Sequence, residues 1–563
     1  MTANAPQPKV KAQKIAKASP FIAAFSILTI VIGAYSWILV AKQFGATNEA
    51  DLLFWATLVP VMFGQHTRGA LNLAFVPSFA GTRVAGGEER AWRLASSFAN
   101  LVVRVAFGVV VVYALLAPLG FRMMSGHELG AVREFGRLTR ILAPILLLWV
   151  VFALVEALLY SYQHYTTTSF STMISNVGLI VGVVVLGPRL GILGAAIGMT
   201  CGYVVQAALP AMRLLPYRHL YRRGVDWTQQ ELRDAVGRLG PIVVFSVCML
   251  GGFGVAYGVC ARLGEGRVSA FRYCTQLLIV LPALVNSAVV APLYPRMAEK
   301  VAEGDHETLK WMLQTFVRMV FFLMLPFVVL LMALRVPIVQ TLFERGAFTP
   351  ESTRLTAMAM LGLAPWVLAM TLNQLPTSLA MSVGKARLLA VMGLVLLPIM
   401  GGLGLLMSGG LGWDVAGISA AFSLNFWLSF PLLLLMLRRE LGALGMRSLL
   451  FQNTRTVAAA AAMGLVISLP AGGLTRWLDH LGTAGRLSGA GLTLARFSEC
   501  AVLGLAGLAL YVVFARWLKV PEALDFKTAF RSIRPKTAEG EATGTTTPSA
   551  DAGPQASEVS VSS

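Results

Sequence analysis

The sequence predicts an all-α polytopic membrane protein. It is expected to have about fourteen transmembrane helices, in two pseudo-symmetric six-helix lobes plus two C-terminal helices around a central cavity. Three observations predict this. The chain of 563 residues is 56% hydrophobic and 13% charged, with mean hydropathy +0.70, whereas a soluble domain is about a quarter charged. Apolar segments of roughly 20 residues, enough at ~1.5 Å rise per residue to cross the hydrocarbon core, recur along its length. A shift of 218 positions maps one half of the chain onto the other.

The N-terminal tail, residues 1–19, is polar and basic (Lys9, Lys11, Lys14, Lys17), and the positive-inside rule places it in the cytoplasm. The first apolar segment behind it is a full-length span, expected to stay as an anchor. The N-lobe, residues 20–214, holds six spans: 21–40, 52–79, 95–119, 138–160, 170–186 and 192–214. Residues 215–240 are amphipathic and basic (Arg218, Arg222, Arg223, Arg233, Arg238), which predicts a surface helix at the cytoplasmic face. The C-lobe, residues 241–438, repeats the pattern with spans 242–259, 270–293, 313–333, 355–381, 388–407 and 415–437. Two more spans, 457–469 and 497–518, lie within 439–518. Residues 519–563 turn basic and then rich in Thr, Ser, Pro, Gly and Ala, the composition of a disordered cytoplasmic tail. One loop runs against the charge rule. Residues 122–140, assigned outside, contain Arg122, Arg133, Arg137 and Arg140.

The net charge of +19 sits in short loops and tails, where it faces anionic lipid. No soluble domain exists to present it to nucleic acid, so nucleic-acid binding is not expected. The five cysteines (Cys201, Cys248, Cys260, Cys274, Cys500) lie in apolar segments without a CxxC. They read as small hydrophobes, and no metal site or cofactor is expected. No paired carboxylates or metal motif mark a membrane-embedded glycosyltransferase, so no enzyme activity is expected.

The repeat carries Pro77 onto Pro295, Ala80 onto Ala298, Gly86 onto Gly304, Glu89 onto Glu307 and Phe98 onto Phe316. It thereby makes the second and eighth spans equivalent. Six spans per half is an even number, so both halves have the same orientation and the symmetry axis follows the membrane normal. Pro60, Pro282, Pro326, Pro365, Pro376 and Pro398 fall within spans and bend them.

Ionisable groups inside a membrane are expensive and mark function by default. The second span reads Gly64-Gln65-His66-Thr67-Arg68-Gly69 at its centre, which places His66 and Arg68 near mid-membrane. Arg272, Gln276 and Asn286 lie on the eighth span, and Arg104 and Arg318 on the third and ninth. Glu156 lies on the fourth, and Asn373 and Gln374 on the tenth. The substrate-binding candidates are Arg68, Arg272, Gln276, Asn286 and His66, because an arginine fork donates two parallel hydrogen bonds to phosphate. The gating or coupling candidates are Asp51, Glu156, Arg104 and Arg318. Other roles compete. Arg104 and Arg318 lie near cytoplasmic loops and suit snorkelling. Glu156 suits the counter-ion of an arginine. Asn286, Asn373 and Gln374 suit ties between helices.

Phe44-Gly45-Ala46 with Ala50-Asp51, Leu73-Ala74-Phe75-Val76-Pro77, and Thr341-Leu342-Phe343-Glu344-Arg345-Gly346-Ala347-Phe348-Thr349 resemble motifs of the MurJ/MviN lipid II flippases. That family belongs to the multidrug/oligosaccharidyl-lipid/polysaccharide exporter superfamily. The resemblance covers about residues 20–518. It implies a fourteen-helix, two-lobed fold that moves undecaprenyl-diphosphate-linked peptidoglycan precursor from the inner to the outer leaflet by alternating access. It also implies a bacterial inner membrane, with both termini cytoplasmic and the head group in the central cavity. Asp51 matches an acidic position of the family. The chain departs from the family's arginines in the first span (Ile30 and Ser36 around Gly33) and in the second (Phe63, Gly64). It departs from its Asp-Arg pair and later Glu in the eighth (Thr275, Gln276, Ile279). Arg68 and Arg272 are left to supply charge from neighbouring turns. The expected partners are a polyprenyl-diphosphate-linked saccharide, membrane lipids and a coupling ion. The alternatives are a flippase for another lipid-linked oligosaccharide, such as an exopolysaccharide or O-antigen unit, and an ion-coupled small-molecule exporter.

Overall fold

The structure is a computed structural model that describes residue 25 and residues 28–126, 128–162, 164–442, 446–483 and 489–524. The basic N-terminal tail and the tail beyond residue 524 lie outside the described residues. Those described form helices and their connections, with no strand among them. Twelve helices are long and apolar enough to cross a membrane, against about fourteen crossings expected. The difference falls on the first two spans. The described part of the first, α1 (Leu28–Phe44), is shorter. The second carries Thr67, Arg68 and Asn72 where a lipid-facing helix would carry apolar groups.

The second span begins as α2 (Asn48–Thr57), widens into a π-turn at Leu58–Phe63 around Pro60, and continues as α3 (Gly64–Ser125). Proline supplies no N–H and crowds the preceding carbonyl, so a helix that keeps it must loosen there. α3 is two spans joined at Gly87, whose φ of 77° suits glycine. The fourth span is α4 (Leu129–Leu142) with α5 (Pro144–Ser161). The fifth and sixth are α6 (Tyr165–Val181), closed by a π-turn at Gly182–Leu186 and the turn α7 (Gly187–Leu190), and α8 (Ile192–Ala211).

In the second half, α9 (Gln230–Leu263) is the seventh span. The eighth is α10 (Arg267–Leu278), α11 (Val280–Val285), a π-turn at Asn286–Val290 and α12 (Ala291–Glu303). Then follow α13 (His306–Ala333), α14 (Arg335–Phe343), α15 (Pro350–Ser382), α16 (Ala386–Leu405) with a π-turn at Leu406–Gly410, and α17 (Asp414–Leu441). Asp305 caps α13 by accepting from Thr308 N at 3.1 Å, and hydrogen bonds from the Thr308 hydroxyl and then from its backbone hold the carboxyl below the usual range. The breaks recur at repeat-equivalent places. The second and eighth spans both fracture near a proline, and the fifth and eleventh both end in a π-turn.

Glycine sets how closely equivalent pairs pack. A Cβ on Gly198 of α8 would lie 2.3 Å from Gly182 Cα and 2.6 Å from Gly178 O. In the other lobe a Cβ on Gly362 of α15 would lie 2.6 Å from Ala416 O on α17. These helices touch backbone to backbone, which a membrane bundle needs because lipid tails offer no competing hydrophobic drive. The last two spans, α18 (Met446–Thr483) and α19 (Gly489–Trp517), bury Ala460, Met463, Ile467 and Tyr511 against Phe322 and Leu330 of α13.

Two expectations are corrected. Residues 215–240 are not one surface helix. They comprise the end of a 3₁₀ segment (Met212–Leu220), a loop and the first turns of α9, because Pro216 and Gly224 interrupt helical bonding. The basic stretch 122–140 is not a loop either. Arg133, Arg137 and Arg140 lie on the amphipathic α4. Pro521–Leu524, at the start of the expected tail, form a helical turn, α20.

The backbone contact at Gly198 predicts that Gly198→Leu overpacks α6 against α8, costing about 3 kcal/mol, the upper end for an inserted side chain. The expected outcome is a lower melting temperature and loss of the monodisperse peak in detergent. Gly108→Leu, placed where nothing lies within 4 Å of the new Cβ, should leave both unchanged.

Candidate functional site

The lobes meet in a seam at the end of the bundle that holds residues 42–51. Asp51 on α2 is buried, and its carboxylate accepts from Gly266 N at 2.8 Å, Ser269 N at 2.7 Å and Ser269 Oγ. Three donors replace the water that burial removes, which an isolated buried carboxylate would lack. Around it, Tyr273 Oη donates to Gly45 O at 2.8 Å, Ala347 N to Lys42 O at 2.8 Å and Asn48 N to Glu265 Oε1 at 2.9 Å. Three glycines with positive φ make the approach possible. A Cβ on Gly45, Gly266 or Gly346 would lie 2.4, 2.4 or 2.3 Å from the carbonyl oxygen of Ala347, Ala46 or Lys42.

A second cluster lies ~25 Å further along the same span, 17 residues at ~1.5 Å each. Arg68 forms a two-pronged ion pair with Glu156 of α5, Nε donating to Oε2 at 2.5 Å and Nη2 to Oε1. Glu156 also accepts from Tyr160 Oη at 2.9 Å and Asn72 Nδ2 at 3.2 Å. The guanidinium lies 5.7 Å from the Phe152 ring centroid. Glu156 is fully buried, while Arg68 keeps 33% of its side chain exposed. Both carboxylate oxygens are therefore taken, and the open side of the cluster is the arginine's.

The expected site residues do not form one group. Arg68 and Glu156 come together as a pair. Arg68 sits well towards the end opposite the seam, not at mid-membrane, because the helix that carries it runs on to Gly87. Arg272 belongs to the seam. It is buried, with Cζ 5.6 Å from the Trp37 ring centroid and no hydrogen-bond partner for Nε. No carboxylate lies within 4 Å of it among the described residues. Gln276 is half-buried one turn beyond Arg272, and Asn286 is exposed in the π-turn of the eighth span. The side chain of His66 lies outside the described residues.

Arg104 is exposed. It lies ~32 Å from Ser125 along α3, about one hydrocarbon thickness, which puts it at the membrane edge when the far end sits at the opposite edge. Arg318 lies 3.8 Å from Glu522 in the turn after α19, so it too serves an interface. Asn373 Nδ2 donates to Ala369 O and Phe426 O, and Gln374 Nε2 to Pro282 O, which makes both of them ties within the C-lobe.

Sequence reasoning did not single out Ser269, Gly266, Tyr273, Asn72 or Tyr160. A signal existed for one of them. Ser269 opens the stretch Ser269-Ala270-Phe271 that the repeat aligns, by a slightly different shift, with Ala50-Asp51-Leu52.

A family profile described as lipid II flippase MurJ matches residues 40–480. The lipid II flippase MurJ of Burkholderia cenocepacia is 24% identical over 356 residues, covering 60% of this chain and 68% of that one. The probable lipid II flippase MurJ of Bdellovibrio bacteriovorus is 24% identical over 473 residues, covering 82% and 88%. Among solved structures, a lipid II flippase MurJ in an inward closed conformation aligns with TM-score 0.69 at 17% identity, covering 88% of this chain and 99% of that one. An inward-facing multidrug resistance MATE family transporter of the MOP superfamily aligns with TM-score 0.60 at 16% identity, covering 73% and 94%. At these identities the structural likeness establishes the fold.

The Arg68–Glu156 pair predicts an asymmetric double-mutant cycle. Glu156→Gln alone strands a partly buried cation and should cost about 3 kcal/mol, the low end for a buried pair because Arg68 keeps an open side. Arg68→Gln with Glu156→Gln should recover most of that loss. Thermal melting of all four forms in detergent measures the coupling, and additive losses would show that the pair contributes nothing jointly.

Proposed function

Because the chain belongs to the MurJ family of lipid II flippases, we propose that it carries lipid II from the inner to the outer leaflet by alternating access. The observation that supports this best is the seam. One end of the inter-lobe space is closed by a buried carboxylate, while polar groups on the second and eighth spans stay accessible below it. The family is one of transporters, and the chain is a multi-pass membrane protein, so the reading asks for no covalent chemistry.

The proposed orientation follows from the basic loops. Both termini face the cytoplasm, the seam faces outward, and the state described is closed on the outer side. The diphosphate head group enters from the inner side and meets the open face of Arg68, with Asn72, Gln276 and Asn286 offering amides to phosphate and sugar. His66 is placed with them by sequence position. The polyprenyl tail stays in lipid. Asp51 is the outer latch, and Glu156 holds Arg68 in place. Arg104 and Arg318 anchor their helices at the cytoplasmic interface. Arg272 shares α10 with the latch residues, so it becomes accessible only when the seam opens. Membrane potential supplies drive, at ~2.3 kcal/mol per elementary charge per 100 mV, and no coupling ion is assigned. Another lipid-linked glycan is the second reading. It is favoured by Arg68 being the accessible cation of the cluster and being already neutralised by Glu156.

Two measurements test these roles. In cells depleted of their own lipid II flippase, the wild-type chain should restore growth. The folded, membrane-inserted Arg68→Gln/Glu156→Gln form should not. Failure of a well-inserted wild-type chain would move the assignment to another lipid-linked glycan. For the latch, Cys260 is fully buried near Asp51, so a membrane-impermeant maleimide should label it slowly from outside in a Cys201→Ser/Cys500→Ser background, which removes the exposed and the half-buried cysteine. Asp51→Ala removes charge-assisted bonds of about 1.5–3 kcal/mol each and should raise that rate at least about tenfold. An unchanged rate would remove the latch role.

A further inference from the structure

A groove outside the inter-lobe space lies between α16 and α17, on the C-lobe. Its walls are Leu388, Val391, Val395, Leu432 and Leu435, each between 39% and 54% exposed. From Lys385 to Val395 it runs ~15 Å, about half the hydrocarbon core and thus one leaflet deep. Its volume is about 390 Å³. One mouth is cationic. Lys385, Arg439 and Glu440 line it, with Lys385 Nζ 2.7 Å from Glu440 Oε1. That pair neutralises itself. It leaves Arg439 at the mouth and the exposed Arg387 and Arg438 at the same ends of the two helices.

The charge is heavier on this lobe. The π-turns that end the fifth and eleventh spans are 224 positions apart. At that offset Lys385 and Arg387 correspond to Ser161 and Gln163, and Arg438 and Arg439 to Leu214 and Leu215. A general inward bias of charge would load both lobes alike. Instead the corresponding N-lobe positions are neutral with one exposed arginine, Arg213, beside them, against three exposed arginines at the C-lobe ends, so the cations concentrate on this groove.

We infer that the groove between α16 and α17 is a resident site for one anionic glycerophospholipid, its phosphate against Arg439 with Arg387 and Arg438 beside it and an acyl chain along the apolar walls. The head-group attraction is electrostatic, of the kind that draws juxtamembrane cations to acidic lipid. The site is independent of the transported molecule. A groove one leaflet deep fits an acyl chain rather than a long polyprenyl tail.

The test uses the full chain, purified from membranes, delipidated in detergent, and re-equilibrated with an equimolar mixture of phosphatidylglycerol and phosphatidylcholine. Native mass spectrometry counts the lipid retained. Wild type should keep one phosphatidylglycerol per chain with a preference of at least about fivefold, the ratio one surface cation supplies. Arg387→Gln/Arg438→Gln/Arg439→Gln should bring that preference to parity, with the melting profile and helical circular dichroism kept. A photoactivatable phosphatidylglycerol should crosslink within residues 388–395 or 428–436 in wild type and not in the triple variant. Three results overturn the inference. One is no preference in wild type, and another is an undiminished preference in the triple variant. The third is displacement by undecaprenyl phosphate at a tenth of the phosphatidylglycerol concentration, which would make the occupant a polyprenyl lipid.

Discussion

The junction between the lobes rests on a carboxylate that has lost its water. Asp51 is 8% exposed at the junction of the two lobes, where a bare charge would cost several kcal/mol. It is tolerated because the turn at Gly264–Gly266 and the first turn of α10 aim two N–H groups and a hydroxyl at it. Gly266 is needed twice over. Its φ of 79° is one that side chains rarely adopt, and a Cβ would collide with Ala46 O. The same holds across the seam at Gly45 and Gly346, with φ of 64° and 62°. Closure thus joins backbone hydrogen bonds and one carboxylate to aromatic contacts between the lobes, Phe54 against Tyr273 with ring centroids 5.0 Å apart and Trp55 against Tyr257 at 6.0 Å.

The repeat explains why this carboxylate sits where it does. A pseudo-twofold axis along the membrane normal brings equivalent positions of the second and eighth spans to the centre. In the aligned stretch Asp51 corresponds to Ala270 and Ala50 to Ser269, so the carboxylate has no acidic counterpart in the other lobe and meets the serine beside that position. Two aspartates meeting on the axis would repel. An aspartate facing a serine makes a short donor–acceptor contact. The symmetry of the fold is therefore kept in the backbone and broken in the chemistry, and the break supplies the bond. The lipid-facing side shows the same division, with three exposed arginines at the groove mouth of one lobe and one, Arg213, at the corresponding end of the other.

Much of this was legible in the sequence, and the remainder failed for identifiable reasons. The motif residues Phe44-Gly45-Ala46, Ala50-Asp51 and Thr341 to Thr349 do surround the seam, because turn glycines and a capping acid leave a local signature. Apolar periodicity located the spans but not their depth. α3 and α9 extend well beyond the hydrocarbon core, so Arg68 and Arg104 lie nearer an interface than a count from apolar centres suggests. The partner of Arg68 was not legible, since Glu156 is 88 positions away and no period links a salt bridge between spans. The basic stretch 122–140 was misread as a loop, since Arg122 lies in the last turn of α3 and Arg133, Arg137 and Arg140 lie on α4. On α4 its arginines share a helix with the buried Phe135, Leu138 and Leu142.

The ion pair at Arg68 bears on energetics as well as on recognition. If the inner station held several free arginines, the empty carrier would move net positive charge whenever it cycled. With Arg68 matched by Glu156, the station is near neutral when empty. On the function proposed above, the loaded station then carries the negative charge of its diphosphate. An inside-negative potential drives that charge outward, at ~2.3 kcal/mol per charge per 100 mV, and leaves the empty return nearly unaffected. Affinity for the head group falls with each arginine removed, but so does the cost of releasing it. A transporter with one paired cation and several amides is thereby biased towards turnover rather than tight binding. The seam completes the arrangement, because its closure is made by residues of the chain itself and does not require the cargo's charge to hold it.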